Sequence, residues 1–253
     1  MESALLKNAR AWIGTSGWNY SHWRGIYYPG GLRSADWLGY YARLFDTVEL
    51  NNSFYRIPAP RLMREWQAHT PARFRFAVKV WRGITHYRKL KNCREYIRSF
   101  LAAAEQLEGR RRGPLLIQLP PNQGKDVARL EQFLDELKAA SEARWKIVVE
   151  FRNPEWLCRD VYDLLDRQRA AVCIHDMAGS VTTEANNASF VYVRRHGLDV
   201  GPYTGCYTSD EINGDARRIR SWLKEGRTVF VYFNNDTKGY AVENARQLRA
   251  ELE

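Results

Sequence analysis

Eight short, largely apolar runs recur along this chain, and an amphipathic helical stripe follows seven of them. The runs fall at residues 12–18, 47–51, 74–80, 115–120, 146–151, 171–176, 190–196 and 228–235. Helical spacing appears between them, as in Trp37, Leu38, Tyr41, Leu44 and Phe45 behind a candidate cap at Ser34,. Leu62, Met63 and Trp66 mark the next helix, then Tyr96, Phe100, Leu101, Ala104 and Leu107, then Leu130, Phe133, Leu134 and Leu137. Val161, Leu164 and Leu165 follow the fifth run, Ile219, Trp222 and Leu223 the seventh, and Ala241, Asn244, Ala245 and Leu248 the eighth. Residues 177–189 carry no such stripe, so the sixth helix is expected to be short or missing. Strands alternating with helices predict an α/β fold, a single (β/α)8 TIM-barrel domain over residues 1–253. A doubly wound open sheet is the alternative, weakened by the absence of a G-x-G-x-x-G turn after the first strand,.

The runs also end alike. In TVELNNSFY, residues 47–55, Glu49, Asn51 and Asn52 arrive where the strand should stop. Alternate residues of a barrel strand face the helices or the axis, and the continuous apolar set should be the helix-facing one. Phe74, Phe76, Val78 and Val80 therefore turn Lys79 inward, and Ile147, Val149 and Phe151 turn Glu150 and Arg152 inward. The same parity sends Ser16, Glu49, Asn51, Gln118, His175, Arg194, His196, Tyr232 and Asn234 inside, near the C-terminal strand ends where barrel enzymes place their chemistry,. Burying so many polar groups is costly unless they pair or bind something. The bland alternative is a satisfied polar layer in which Glu49 and Glu150 pair with Lys79 and Arg152. Cys173, between Val172 and Ile174, reads as a small core residue,.

Several stretches, GTSGWNYSHW (14–23), ELNNSFYRIP (49–58), FRFAVKVWRGITH (74–86), QLPP (118–121), EFRNPEW (150–156), VRRHG (193–197) and FNND (233–236), resemble the YecE-like family. That resemblance spans nearly the whole chain. It implies a TIM barrel of unknown function and brings no established reaction with it.

The formal charge of +10 suits a phosphate-bearing or nucleic-acid partner, although an arginine-rich composition can arise incidentally,. An anionic, phosphate-bearing ligand is expected at the strand ends, acted on by a hydrolase directed at phosphodiesters or nucleic acid. Glu49, Lys79, Glu150, His175 and His196 are its candidate catalytic groups. Ser16, Trp18, Tyr20, Asn51, Tyr55, His86, Gln118, Arg152, Arg194, Tyr232, Asn234 and Asn235 are candidate binding groups, with Trp23 and Trp81 as further rim aromatics. Loop 234–239 (NNDTKG) could cradle a phosphate on its backbone amides,. A divalent metal on Glu49, Glu150 and His175 is a further option, opposed by the nearby Lys79 and Arg152.

Two alternatives stand beside the hydrolase. One is a non-catalytic nucleic-acid-binding or adaptor barrel using Arg82, Arg88, Lys89, Lys91 and Arg94. The other is an isomerase or lyase acting on a small phosphorylated sugar. Tyr203 and Tyr207, on the loop after the seventh strand, are candidate lid residues, and Arg110, Arg111 and Arg112 are expected in a solvated turn. The four scattered cysteines, the absence of a signal-peptide pattern and the lack of a long apolar run point to a reduced, cytoplasmic protein that does not enter membranes,.

Overall fold

A computed structural model describes residues 9–179, 181–197 and 203–253. The eight strands are β1 (Ala11–Thr15), β2 (Thr47–Leu50), β3 (Arg75–Lys79), β4 (Arg112–Gln118), β5 (Ile147–Glu150), β6 (Ala171–His175), β7 (Phe190–Arg195) and β8 (Thr228–Phe233). They are hydrogen-bonded in the order β1-β8-β7-β6-β5-β4-β3-β2, and a parallel bridge between Ser16 and Glu49 links β1 to β2. With helices in the crossovers, this is the (β/α)8, TIM-barrel fold.

The α-helices are α1 (Trp37–Tyr41), α2 (Asn52–Tyr55), α3 (Pro60–Ala68), α4 (Arg94–Ala104), α5 (Val127–Ala140), α6 (Arg159–Arg167), α7 (Ser209–Lys224) and α8 (Tyr240–Leu252). Among the described residues, none lies between β6 and β7, as the missing stripe at 177–189 predicts. None is long and apolar enough to cross a membrane.

The residues group into two compact units. One comprises Met1–Glu49, Cys173–Ala185 and Ser189–Glu253, and the other Leu50–Val172 and Asn186–Ala188. In the first, α8 buries the expected Ala241, Asn244, Ala245 and Leu248. Helix α7 starts with a capping box: Glu211 accepts from the Thr208 backbone amide at 2.8 Å, and Thr208 accepts from that of Glu211,. Gly14 answers a packing demand. A Cβ there would overlap the Thr47 carbonyl, so β1 and β2 approach this closely only without a side chain,. Gly14→Ala should therefore lower stability by about 1–3 kcal/mol, read as a lower thermal unfolding midpoint. An unchanged midpoint would show that the two strands separate freely.

In the second unit, α5 buries Leu130, Phe133, Leu134 and Leu137 as one stripe, and Asp126 caps it by accepting from the Arg129 amide at 2.9 Å. Two expectations need correction. Ser34, in the first unit, caps nothing: it opens a 3-10 turn, Ser34–Asp36, that leads into α1. Of the Arg110–Arg112 run, only Arg110 is exposed on a turn. Arg111 is buried and donates to the Thr70 carbonyl, the Thr70 hydroxyl and the Pro71 carbonyl at 3.0–3.2 Å. Arg112 begins β4 and donates to the Glu105 and Leu107 carbonyls, both at 2.9 Å. Each guanidinium satisfies carbonyls just past a helix C-terminus, where a cation is favoured.

Candidate functional site

In the first unit, the strand-end polar groups centre on Glu49, which is fully buried. Its Oε1 accepts from Ser16 Oγ at 2.7 Å and Arg194 Nη2 at 2.8 Å. Its Oε2 accepts from the Tyr192 hydroxyl at 2.6 Å and Arg194 Nε at 2.9 Å. This is a buried bidentate carboxylate–guanidinium pair with two added hydroxyl donors, the arrangement that compensates the desolvation of both charges. Glu49 thus takes Arg194 as its ion-pair partner. With both oxygens doubly engaged, the carboxylate meets a proton or a metal only by giving up these partners.

Tyr192 is a participant that sequence reading missed, although its parity matches that of Arg194 and His196. Burial and the Glu49 charge push its phenol well above the ordinary range, so it stays a donor,. Tyr232 is likewise pushed up by burial, and its hydroxyl meets Thr47 Oγ1 at 2.7 Å.

His175 and His196 face one another edge-on with ring centroids 6.0 Å apart. Arg194 Nη1 lies 3.4 Å from His196 Nε2. Asn234 Nδ2 lies 3.1 Å from His196 Nδ1.

Other predicted binding residues of this unit serve as anchors. Tyr20 donates to the Ser16 carbonyl at 2.5 Å, and the carbonyl of the buried Trp18 accepts from Tyr28 at 2.5 Å. Trp23 donates to the Asp236 carbonyl at 2.9 Å, and Asn235 donates to the Gly205 carbonyl and to Asn244 at 2.8 and 2.9 Å. Of the candidate lid, Tyr207 is buried and donates to Asp176 at 2.5 Å, while Tyr203 sets its ring 5.9 Å from His196. Residues 198–202 of that loop lie outside the described residues.

The second unit carries Lys79 at the end of β3, Gln118 at the end of β4, and Glu150 at the end of β5 with Arg152 just beyond. Gln118 and Glu150 are register partners. Lys79 is buried, with its ammonium 4.1 Å from the Phe54 ring centroid, a cation–π contact,. Its position is fixed from behind by Ser53, which donates to the Lys79 carbonyl at 2.6 Å. Glu150 and Arg152 form a buried ion pair. Asn51 stands half-buried at the start of α2, and Tyr55 at its end is exposed.

His86 sits on a π-helical turn, Gly83–Tyr87, a rare geometry often found at functional sites,. Its Nδ1 is 2.8 Å from Thr85 Oγ1, and its ring meets Phe54 edge-on at 4.9 Å. Burial first, then the charges of Lys79, Arg82 and Arg152 against the opposing Glu150, lower the His86 pKa to about 4,. Three cations thus act on one neutral imidazole, with a single carboxylate in opposition. Phe54, the platform for both Lys79 and His86, was not among the predicted site residues. The basic loop is partly occupied: Arg88 donates to Tyr96 at 2.8 Å, Lys89 to the Asn122 carbonyl at 3.0 Å, and Arg94 lies 3.9 Å from Glu136.

A model of the family described as protein of unknown function DUF72 matches residues 12–253. The chain is 27% identical over 269 residues to the UPF0759 protein YunF of Bacillus subtilis (strain 168), covering 94% of this chain and 93% of that protein. It is 30% identical over 149 residues to the UPF0759 protein YecE of Escherichia coli (strain K12), covering 58% of this chain and 50% of that one. Among solved structures, the DUF72 family protein TM1631 from Thermotoga maritima MSB8 matches with a TM-score of 0.81 at 25% identity, over 96% of this chain and 99% of that chain. The Enterococcus faecalis V583 DUF72 protein EF0366, at 22% identity, shares the fold with a TM-score of 0.78 over 97% and 98%.

Proposed function

Because this chain belongs to the family of unknown function DUF72, whose kinship specifies no reaction, we propose its function from the second unit's cluster: it binds a phosphate-bearing anion and hydrolyses it by acid–base catalysis. The observation that carries this reading is that the buried Lys79 and the half-buried His86 share the Phe54 ring, with Arg82 and Arg152 adding positive charge that acts on the imidazole,. A phosphate would offset the field of Lys79, Arg82 and Arg152.

Binding also prepares the proton transfers. An anion beside His86 raises its pKa, so the imidazole takes up a proton as substrate arrives. Glu150 accepts a proton from the attacking water, phosphorus gains that oxygen, and the bond to the leaving oxygen breaks. His86 gives its proton to the leaving oxygen. Glu49, held by four donors, takes no part.

The test pairs calorimetry with turnover. Wild-type protein should bind inorganic phosphate and cleave an activated phosphate ester or diester. Glu150→Gln should keep phosphate affinity and lose about 10²–10⁴-fold in turnover. Absence of both phosphate binding and cleavage in the wild type would sink the proposal. The +10 charge favours a second reading, a non-catalytic nucleic-acid binder,. Its signature is steeply salt-dependent binding of oligonucleotides with no turnover by the wild type.

A further inference from the structure

Two of the large apolar side chains left most exposed in the second unit, Tyr55 and Tyr87, are 61% and 67% accessible. Between them in sequence lies Arg82, whose guanidinium carbon is 5.3 Å from the centroid of each ring. Arg82 stands at the entry to the π-helical turn that carries His86. That turn rests tightly on Trp81, because a Cβ on Gly83 would enter the indole.

An arginine presents two kinds of surface. Its faces stack on aromatic rings, and its N–H edges form the fork that grips phosphate or carboxylate. Here both tyrosines lie within cation–π range of the guanidinium. Arg82 Nε is shielded from solvent and has no hydrogen-bond partner among the described residues. A fork positioned by rings rather than by hydrogen bonds loses little further freedom when an anion arrives. The exposed tyrosine surfaces offer flat apolar area beside that fork.

We infer that Tyr55, Arg82 and Tyr87 form a clamp for a nucleotide, with Arg82 gripping the phosphate and a tyrosine ring stacking on the base. This rests on the proposed phosphate-binding reading and names the substrate class for the same site. The clamp discriminates through the ring: a sugar phosphate satisfies Arg82 but leaves the tyrosines bare. A free mononucleotide and the phosphorylated end of a single strand share the required chemistry.

Calorimetry on the full chain separates the elements, using inorganic phosphate, ribose 5-phosphate, adenosine, adenosine monophosphate and a 5′-phosphorylated single-stranded oligonucleotide. The nucleotide should bind about ten-fold or more tightly than ribose 5-phosphate, the scale of one base–aromatic stack. The double variant Tyr55→Ala/Tyr87→Ala should erase that difference, whereas Tyr55→Phe/Tyr87→Phe should retain it. Arg82→Gln should weaken every phosphate-bearing probe. A mononucleotide preferred over the oligonucleotide identifies a free nucleotide as the ligand, and the reverse identifies a strand end; both support the clamp. Equal affinity for nucleotide and ribose 5-phosphate would overturn the clamp while leaving phosphate binding intact. Adenosine binding as tightly as its monophosphate would overturn the role of Arg82. Failure of every phosphate probe would remove the underlying reading as well.

Discussion

Glu49→Gln lowers the stability of the protein by about 3–5 kcal/mol, because it strands a buried arginine. Glu49 and Arg194 are 0% and 1% exposed and meet through two hydrogen bonds. The carboxylate joins the C-terminal ends of β1, β2 and β7 through Ser16, its own strand, Tyr192 and Arg194. An amide in its place keeps one acceptor oxygen and turns an NH2 group toward donors, so hydrogen bonds fail along with the charge balance.

Arg194→Met should cost a similar amount by leaving Glu49 charged and unpaired. Glu49→Gln/Arg194→Met should cost less than the two single losses added together, since neither orphan charge remains. Chemical denaturation monitored by tryptophan fluorescence reads all three. A Glu49→Gln protein as stable as wild type would show that the carboxylate holds nothing together and would return it to the list of candidate bases.

Lys79→Met has the opposite profile, with stability largely kept and anion binding lost. The apolar stem of methionine preserves the packing on Phe54, while a buried charge is removed,. Phosphate affinity should fall about 10–100-fold, the size of one charge-assisted hydrogen bond. The same change relieves part of the field on His86, so its pKa should climb from about 4 toward the ordinary 6.5,.

With the folded pKa below the unfolded one, His86 contributes stability that is fully present above pH 6.5 and is lost as pH falls toward 4, because the unfolded chain takes the proton first,. Lys79→Met should narrow that window from its acid side. Unchanged phosphate affinity in this variant would remove Lys79 from the site.

The scaffold was legible because its signals are local. The stripe at Leu130, Phe133, Leu134 and Leu137 needs no knowledge of the rest of the chain, and the missing sixth helix shows as a missing stripe. Strand parity is also local, and the residues it singles out, Glu49, Lys79, Glu150, Arg152, His175, Arg194 and His196, are buried.

Pairing was not legible. Glu49 could have met any inward cation, and its choice of Arg194, 145 residues away, depends on register between strands that a one-dimensional pattern does not contain. Arg111 and Arg112 depart from a solvated turn for a related reason: charge predicts solvation until helix ends supply carbonyls for it. His86 and Phe54 sit on short turns without periodicity, so only motif and chemistry pointed near them.

The most direct measurement is the titration of the five histidine rings by nuclear magnetic resonance, with and without inorganic phosphate. His86, assigned by its loss in His86→Gln, should titrate near pH 4 in the free protein and shift upward when phosphate is added. A ring that titrates near 6.5 and ignores phosphate would contradict an electropositive anion site in the second unit.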